Sequence, residues 1–425
     1  MRRWISTLAL SALLAPVAAA GEAGDLLAQR LYDGTAREAR QDYVEQCGAG
    51  AADACFGLGL IELIGTVEGL SQALYRHGAV LPDTPAAAML LGLGTDVPRG
   101  PANPDPEPLT YEGLRAILED FVAGLDAARQ HFEAGGAPDD YVLLIDPLRV
   151  RFDIDGDGTV GAAETLGALL RPALDLAQPF EPEGKAKSKG AEPAAPDTTI
   201  GFDRADSLWF AGYTQVTAAP LDLLLAHDFS EFYDAWLHRV FPRAGLPMQE
   251  HSTGRGTAFL DPDSDGFIAD VIAAFHTADF PVTDSDRLAG VLTRLGAVTA
   301  LSRRNWEAIL AETDDNRELV PSPAQTSLVP EQAVSQEVVD AWLATLDAVD
   351  RVLAGELLLP HWRFSRGFDL KAYFETATET DVVMLLTGLG ALPFLADGPV
   401  ADARSFAELN RVMGDDWPLF AIWFN

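Results

Sequence analysis

Asp153, Asp155 and Asp157 alternate with other residues, Gly158 follows, and Glu164 closes the run as its twelfth residue. Four carboxylates at that density repel one another strongly unless a cation sits among them. The chemistry such a run suits is the binding of a hard divalent ion. Calcium takes six to eight oxygens at about 2.3–2.6 Å, and carboxylates and backbone carbonyls supply them. Alternation lets a tightly wound chain turn three carboxylates inward, and Gly158 permits a bend that a β-carbon would resist. Thr159 is placed to offer its backbone carbonyl. Gly161 has no side-chain oxygen, so a water is expected there, and Glu164 can supply two oxygens.

The order D-x-D-x-D-G-x5-E over residues 153–164 resembles the EF-hand calcium loop, with every position filled. The resemblance implies Asp153, Asp155, Asp157, Thr159 and Glu164 as ligands of Ca2+. It is confined to the loop, because Pro147 and the alternating stretch LRVRFD precede it where the full motif has a helix. The expectation is therefore strand–loop–helix, with Glu164 in the first turn of the helix. That arrangement favours a structural ion over one that opens a helix pair. A second stretch, LDPDSDGFIADVI, places Asp261, Asp263, Asp265 and Gly266 in the same order, with Phe267 at the carbonyl position, but ends on Ile272 where an acid belongs. It reads either as a weaker calcium loop or as a turn in which Asp265 caps a helix. Val160 and Ile268 occupy equivalent positions, so the two loops could lie side by side as paired EF-hand loops do.

One other constellation could do chemistry. In HDFSEFYDAWLH, the spacing of His227, Glu231, Asp234 and His238 puts all four on one face of a continuous helix. Two imidazoles and two carboxylates would suit zinc or iron, giving a metal-dependent hydrolase as the alternative to a calcium-stabilised binding or scaffold protein. A solvated polar face opposite Phe232, Ala235 and Trp236 explains the same pattern. G-x-S-x-G, H-E-x-x-H, P-loop and C-x-x-C motifs are missing from the chain, so no reaction is expected from motifs.

Helices must position these groups. Apolar residues recur at helical spacing over 56–75, 205–225, 229–240, 284–311, 334–353 and 405–413. Leu114, Ile117, Leu118, Phe121, Val122 and Leu125 form a further helix face, with Thr110 to cap it and Gly135–Gly136 to end it. Alternation is confined to 141–146 and 148–153. The class is mainly α. The apolar run 382–396 is too short and too broken by glycine and proline to span a bilayer, and reads as core.

Residues 1–20 read as a signal peptide. Arg2 and Arg3 precede a short apolar stretch, and Ala18-Ala19-Ala20 offers a cleavage site. Export to the periplasm or beyond follows, and no integral membrane segment is expected afterwards. In that setting Cys47 and Cys55 read as a structural disulfide. Residues 47–63 resemble one unit of the cysteine-containing Sel1-like helical repeats. There is no second copy, so neither solenoid nor activity is carried over. Residues 179–198 have almost no large apolar side chain and read as a disordered linker carrying Lys185, Lys187 and Lys189. It separates a helical region 21–178, holding the first loop, from a helical region 199–425, holding the second. Two domains or one domain with an insertion would give the same pattern. Residues 97–108 and 314–330 read as further connections. Hydrophobic residues at 48% allow a packed core, while the net charge of −34 disfavours nucleic acid and anionic lipid as partners.

Overall fold

The apolar spacing becomes helix in nearly every segment where it predicts one. A computed structural model describes residues 22–80, 103–169, 197–253, 256–328, 333–402 and 411. The signal segment 1–20, most of the 179–198 linker, residues 97–102 and all but Arg411 of the 405–413 pattern lie outside those residues. In chain order the elements are α1 (Glu22–Asp33), α2 (Arg40–Gly48), α3 (Ala52–Arg76), α4 (Tyr111–Gly135), β1 (Leu143–Ile145) and β2 (Ile200–Phe202). Then come α5 (Arg204–Leu225), α6 (Ser230–Trp236), α7 (Pro262–His276), β3 (Asp279–Pro281), α8 (Ser285–Ala311) and α9 (Gln336–Leu353). The remaining short elements are β4 (Gly367–Phe368), α10 (Leu370–Thr376), β5 (Glu379–Asp381), α11 (Val382–Thr387) and β6 (Leu395–Ala396). The fold is mainly α. The strands form antiparallel two-stranded pairs, β1 with β2, β3 with β5 and β4 with β6.

The long helices pack in a row: α3 on α4, α4 on α5, α5 on α8, and α8 on α9. Small residues set the spacing of the first pair. A β-carbon at Gly59 would lie 2.5 Å from Phe132 Cδ1, and one at Gly124 would lie 2.3 Å from Thr66 Oγ1. Neither fits without moving a neighbouring side chain, Phe132 being fully buried. At the centre Phe56 of α3 meets Phe132 of α4, Phe202 of β2 and Phe210 of α5, with ring centroids 5.8–5.9 Å apart. The same apolar cluster takes in Leu27 and Leu31 of α1, Trp306 and Ile309 of α8, and Trp342 and Leu346 of α9. One core thus draws on residues from both sides of the 170–196 segment. A polar clasp supports the row. Arg294 of α8 reaches Asp126 of α4 at 2.7 Å and Asp222 of α5 at 2.6 Å, and Arg287 adds a second bond to Asp222 at 2.8 Å.

Thr110 Oγ1 accepts from Gly113 N at 3.0 Å, so it is the cap of α4. Cys47 and Cys55 are joined, which ties the end of α2 to the start of α3. The apolar length of α3 would suit a membrane span, but much of it is buried inside the protein. Two expectations need correction. The 229–240 pattern is broken, since α6 stops at Trp236 and a 3-10 turn, Leu237–Arg239, follows. The 382–396 run is not core throughout: Leu386 and Leu389 are 66% and 67% exposed on and just after α11.

Phe132 is fully buried among these rings. Phe132→Ala is expected to cost about 3–5 kcal/mol in urea denaturation, as a cavity that the glycine-tight seam cannot close. Tryptophan fluorescence and far-ultraviolet dichroism should shift together, because both sides of the chain share this core.

Candidate metal centre

The 153–164 loop sits on the outside of α3. Two crossings close its mouth: Arg151 bridges Thr165, and Phe152 N donates to Glu164 O at 2.9 Å. Inside, the chain turns through Gly156 and Gly158, both left-handed at φ 76° and 79°, where a side chain would be strained. The turns aim backbone N–H groups at the carboxylates. Asp153 accepts from Gly156 N at 2.8 Å and Gly158 N at 3.2 Å, and Asp155 from Asp157 N at 3.2 Å. Glu164 accepts from Ile154 N at 3.1 Å and from Gly161 N at 2.6 Å. These donors let like charges gather. One oxygen each of Asp153, Asp155 and Glu164 lies within 4.8 Å of the others.

Asp157 stands apart. Its Oδ1 takes both the N–H and the hydroxyl of Thr159, each at 2.7 Å, and those bonds hold its pKa below the usual carboxylate range. The donor set suits calcium: three converging carboxylates, a glycine-permitted turn and an exposed rim. The flanks differ from the expected strand–loop–helix. Pro147–Arg149 is a 3-10 turn, only Arg151 enters a bridge, and Glu164 ends a second 3-10 turn, Ala162–Glu164, with α-helix beginning at Leu166. Thr165 in the bridge is what separates Glu164 from that helix.

The second stretch is not a loop. Asp261 caps α7, accepting from Ser264 N at 3.0 Å, and Pro262 takes the first helical position, so residues 262–276 are helical throughout. Gly266 lacks the positive φ of Gly156 and Gly158. Asp265 folds back onto Ala258 N at 2.7 Å, Phe259 N at 2.9 Å and Leu260 N at 3.0 Å. Asp263 stands exposed on the first turn, and the carbonyl of Phe267 belongs to the helix ladder. The cap is thus Asp261, not Asp265. Val160 and Ile268 do not pair: Val160 packs over Gly34, while Ile268 is exposed on α7.

The His227/Glu231/Asp234/His238 face is also corrected. His227 precedes α6, in a bridge to Val282. Its Nδ1 meets Leu223 O at 2.7 Å and its Nε2 meets Thr380 Oγ1 at 2.8 Å, and burial lowers its pKa. His238, in the 3-10 turn, faces Asp270 at 3.3 Å, a carboxylate already held by Arg239. Among the described residues, no converging group of three metal-ligating side chains includes either histidine.

Sequence reasoning missed two features. The first is Glu68 of α3, beneath the loop. It is buried, accepts from Asp153 N at 3.0 Å and pairs with Arg37 at 2.9 Å. Burial raises its pKa, and the Asp153 and Glu164 carboxylates add to the rise against the opposing Arg37 and the N–H bond. The second is a group of buried Asp203 and Glu318 with half-buried Glu312, whose oxygens also converge within 4.8 Å, beside buried Asp206. Asp203 caps α5, accepting from Ala205 N at 2.7 Å, and Asp206 accepts from Asp203 N at 2.9 Å. Glu318 accepts from Asn316 N at 2.8 Å, and Glu312 from Gln325 at 3.1 Å, but Glu312 Oε1 is buried with no partner. Arg317 beside them is spent on Thr199 O at 2.5 Å and on Asp197 at 3.3 Å. Burial, then the charge of neighbouring acids, pushes Glu312 up to about 9 and Glu318 to about 7 and raises Asp206; burial first, then Asp314, raises Asp203. A proton or a cation can discharge the group. The acid pair readable beforehand was Asp203/Asp206, a D-x-x-D capping box; nothing local marks Glu312 and Glu318.

Comparison with protein-family models, characterised proteins and solved structures finds no match.

Acids whose pKa rises on folding bind more protons when folded, so the metal-free protein should gain stability as pH falls from about 9 towards about 5. Glu312→Gln should raise thermal stability in chelator at pH 8 by at least about 1 kcal/mol and flatten that pH dependence. An unchanged pH profile in the variant would mean that the group does not carry the penalty.

Proposed function

We propose that this is an exported protein, periplasmic or secreted, in which a calcium ion held by the 153–164 loop secures a helical binding or scaffold fold. The observation that carries the reading is the convergence of Asp153, Asp155 and Glu164 in a loop whose two left-handed glycines and inward N–H groups suit an oxygen-rich cation site. Glu164, Asp153 and Asp155 are the ligands closest to position. Asp157 joins by releasing Thr159, whose carbonyl then completes the set. A structural role is favoured because the loop is tied to the core: Arg151 N donates to Leu31 O at 3.1 Å and Leu166 N to Val150 O at 2.8 Å. The ion neutralises charge that otherwise opposes this closed form.

Export is supported by the basic-then-apolar start of the chain and by the Cys47–Cys55 bond, which persists in oxidising compartments. The hydrolase alternative gains no support, since both nitrogens of His227 are already engaged.

Calorimetric titration of chelator-stripped protein should show calcium binding, with that site abolished by Asp153→Ala and by Glu164→Gln. At free calcium 100 times Kd, binding adds about 2.7 kcal/mol to stability, read as a rise in the thermal midpoint that both variants lose. No heat at millimolar calcium would sink the reading. The intact mass of exported protein should correspond to a chain beginning at Gly21 with one disulfide.

A further inference from the structure

Asp153 opens the loop, and one helix grips its backbone from both sides. Its N–H donates to Glu68 Oε1 at 3.0 Å, and its carbonyl accepts from Gln72 Nε2 at 2.8 Å. Glu68 and Gln72 stand four residues apart, so they share one face of α3. Glu68 is itself fixed: it is 6% exposed, and its second oxygen lies 2.9 Å from Arg37 Nε. Arg37 is held in turn by a 2.7 Å bond to Gly65 O. Further along, Val160 closes over Gly34, where a β-carbon would lie 2.5 Å from Val160 Cγ2. The loop therefore rests on α3 and on the turn after α1.

We propose that Glu68 and Gln72 are positioning residues for the calcium site, a clamp from α3 that sets the backbone of the first ligand before the ion arrives. The inference rests on the calcium reading above. A ligand whose backbone is already fixed loses less freedom on binding, so more of the interaction appears as affinity. Contacts behind the ligands commonly change metal affinity by about 10–100-fold. The Arg37 pair offsets the charge of Glu68, so what Glu68 supplies to Asp153 is a fixed acceptor. Glutamine retains that acceptor; alanine does not. Gln72 works on the carbonyl side and carries no charge.

The test is calorimetric calcium titration of the full mature chain, stripped with chelator, as wild type, Glu68→Gln, Glu68→Ala and Gln72→Ala. Circular dichroism in chelator checks that each variant is folded. Both alanine variants should bind calcium about 10–100-fold more weakly, with Glu68→Gln within about threefold of wild type. The calcium-induced rise in thermal midpoint should shrink in the alanine variants at fixed calcium. If Glu68→Ala does not fold, Gln72→Ala decides alone, since it removes a single bond at the loop. Alanine variants that bind as tightly as wild type overturn the clamp. Glu68→Gln as weak as Glu68→Ala overturns it too, in favour of a role for charge. Failure of the wild type to bind calcium is a separate result, which removes the underlying reading and the clamp with it.

Discussion

The seam between α3 and α4 leaves no room for a β-carbon at Gly59 or Gly124, and the rest of the molecule is arranged around that close approach. It brings Phe56 and Phe132 together, and their rings are where β2 and α5 join the core. It also makes α3 a fixed rod with three uses. Cys55 ties its first turn to α2, Phe56 anchors its next position in the core, and Glu68 and Gln72 hold the acidic loop near its far end. A helix of 25 residues transmits position well over that distance because its hydrogen bonds are all internal. The loop is thus fastened to the same helix that anchors the core, although its own rim faces solvent.

Charge density is the second constraint. The chain carries 64 acidic residues against 30 basic ones, so carboxylates must often meet without a cationic side chain between them. The fold handles this in two ways. In the 153–164 loop, backbone N–H groups point at the carboxylates and solvent is close. In the Asp203/Asp206/Glu312/Glu318 group three acids are buried and Glu312 is half-buried, so their ionised forms are disfavoured. The same residue type thus meets backbone donors and solvent in one place and burial beside other acids in the other. Donor supply and solvent access make the difference.

Local pattern alone did not separate a ligand loop from a helix cap. Asp261, Asp263, Asp265 and Gly266 match the first half of the calcium loop, yet Asp261 and Pro262 also match the start of a helix, and the helix won. The missing acid at Ile272 was the informative departure, since nothing rewards wrapping the chain around an ion without the closing bidentate ligand. The histidine face failed for a related reason. A spacing of four, three and four residues presumes one unbroken helix, and the chain between α5 and α6 is instead drawn into a bridge with Val282.

By itself the sequence determined the mainly helical class, most helix positions, the cap at Thr110, the cysteine pair and the one complete acidic loop. These are local properties: apolar period, capping chemistry and ligand spacing are written over a few turns of chain. Tertiary structure decided the rest. It placed Glu68 under Asp153, some 85 residues away in the chain, and gathered Glu312 and Glu318 onto Asp203 across more than a hundred. It also drew residues from both sides of the 170–196 segment into one core. Those outcomes depend on which helix faces meet, and that is set by burying the largest apolar area at the closest approach the small residues allow. No single stretch of the chain encodes it.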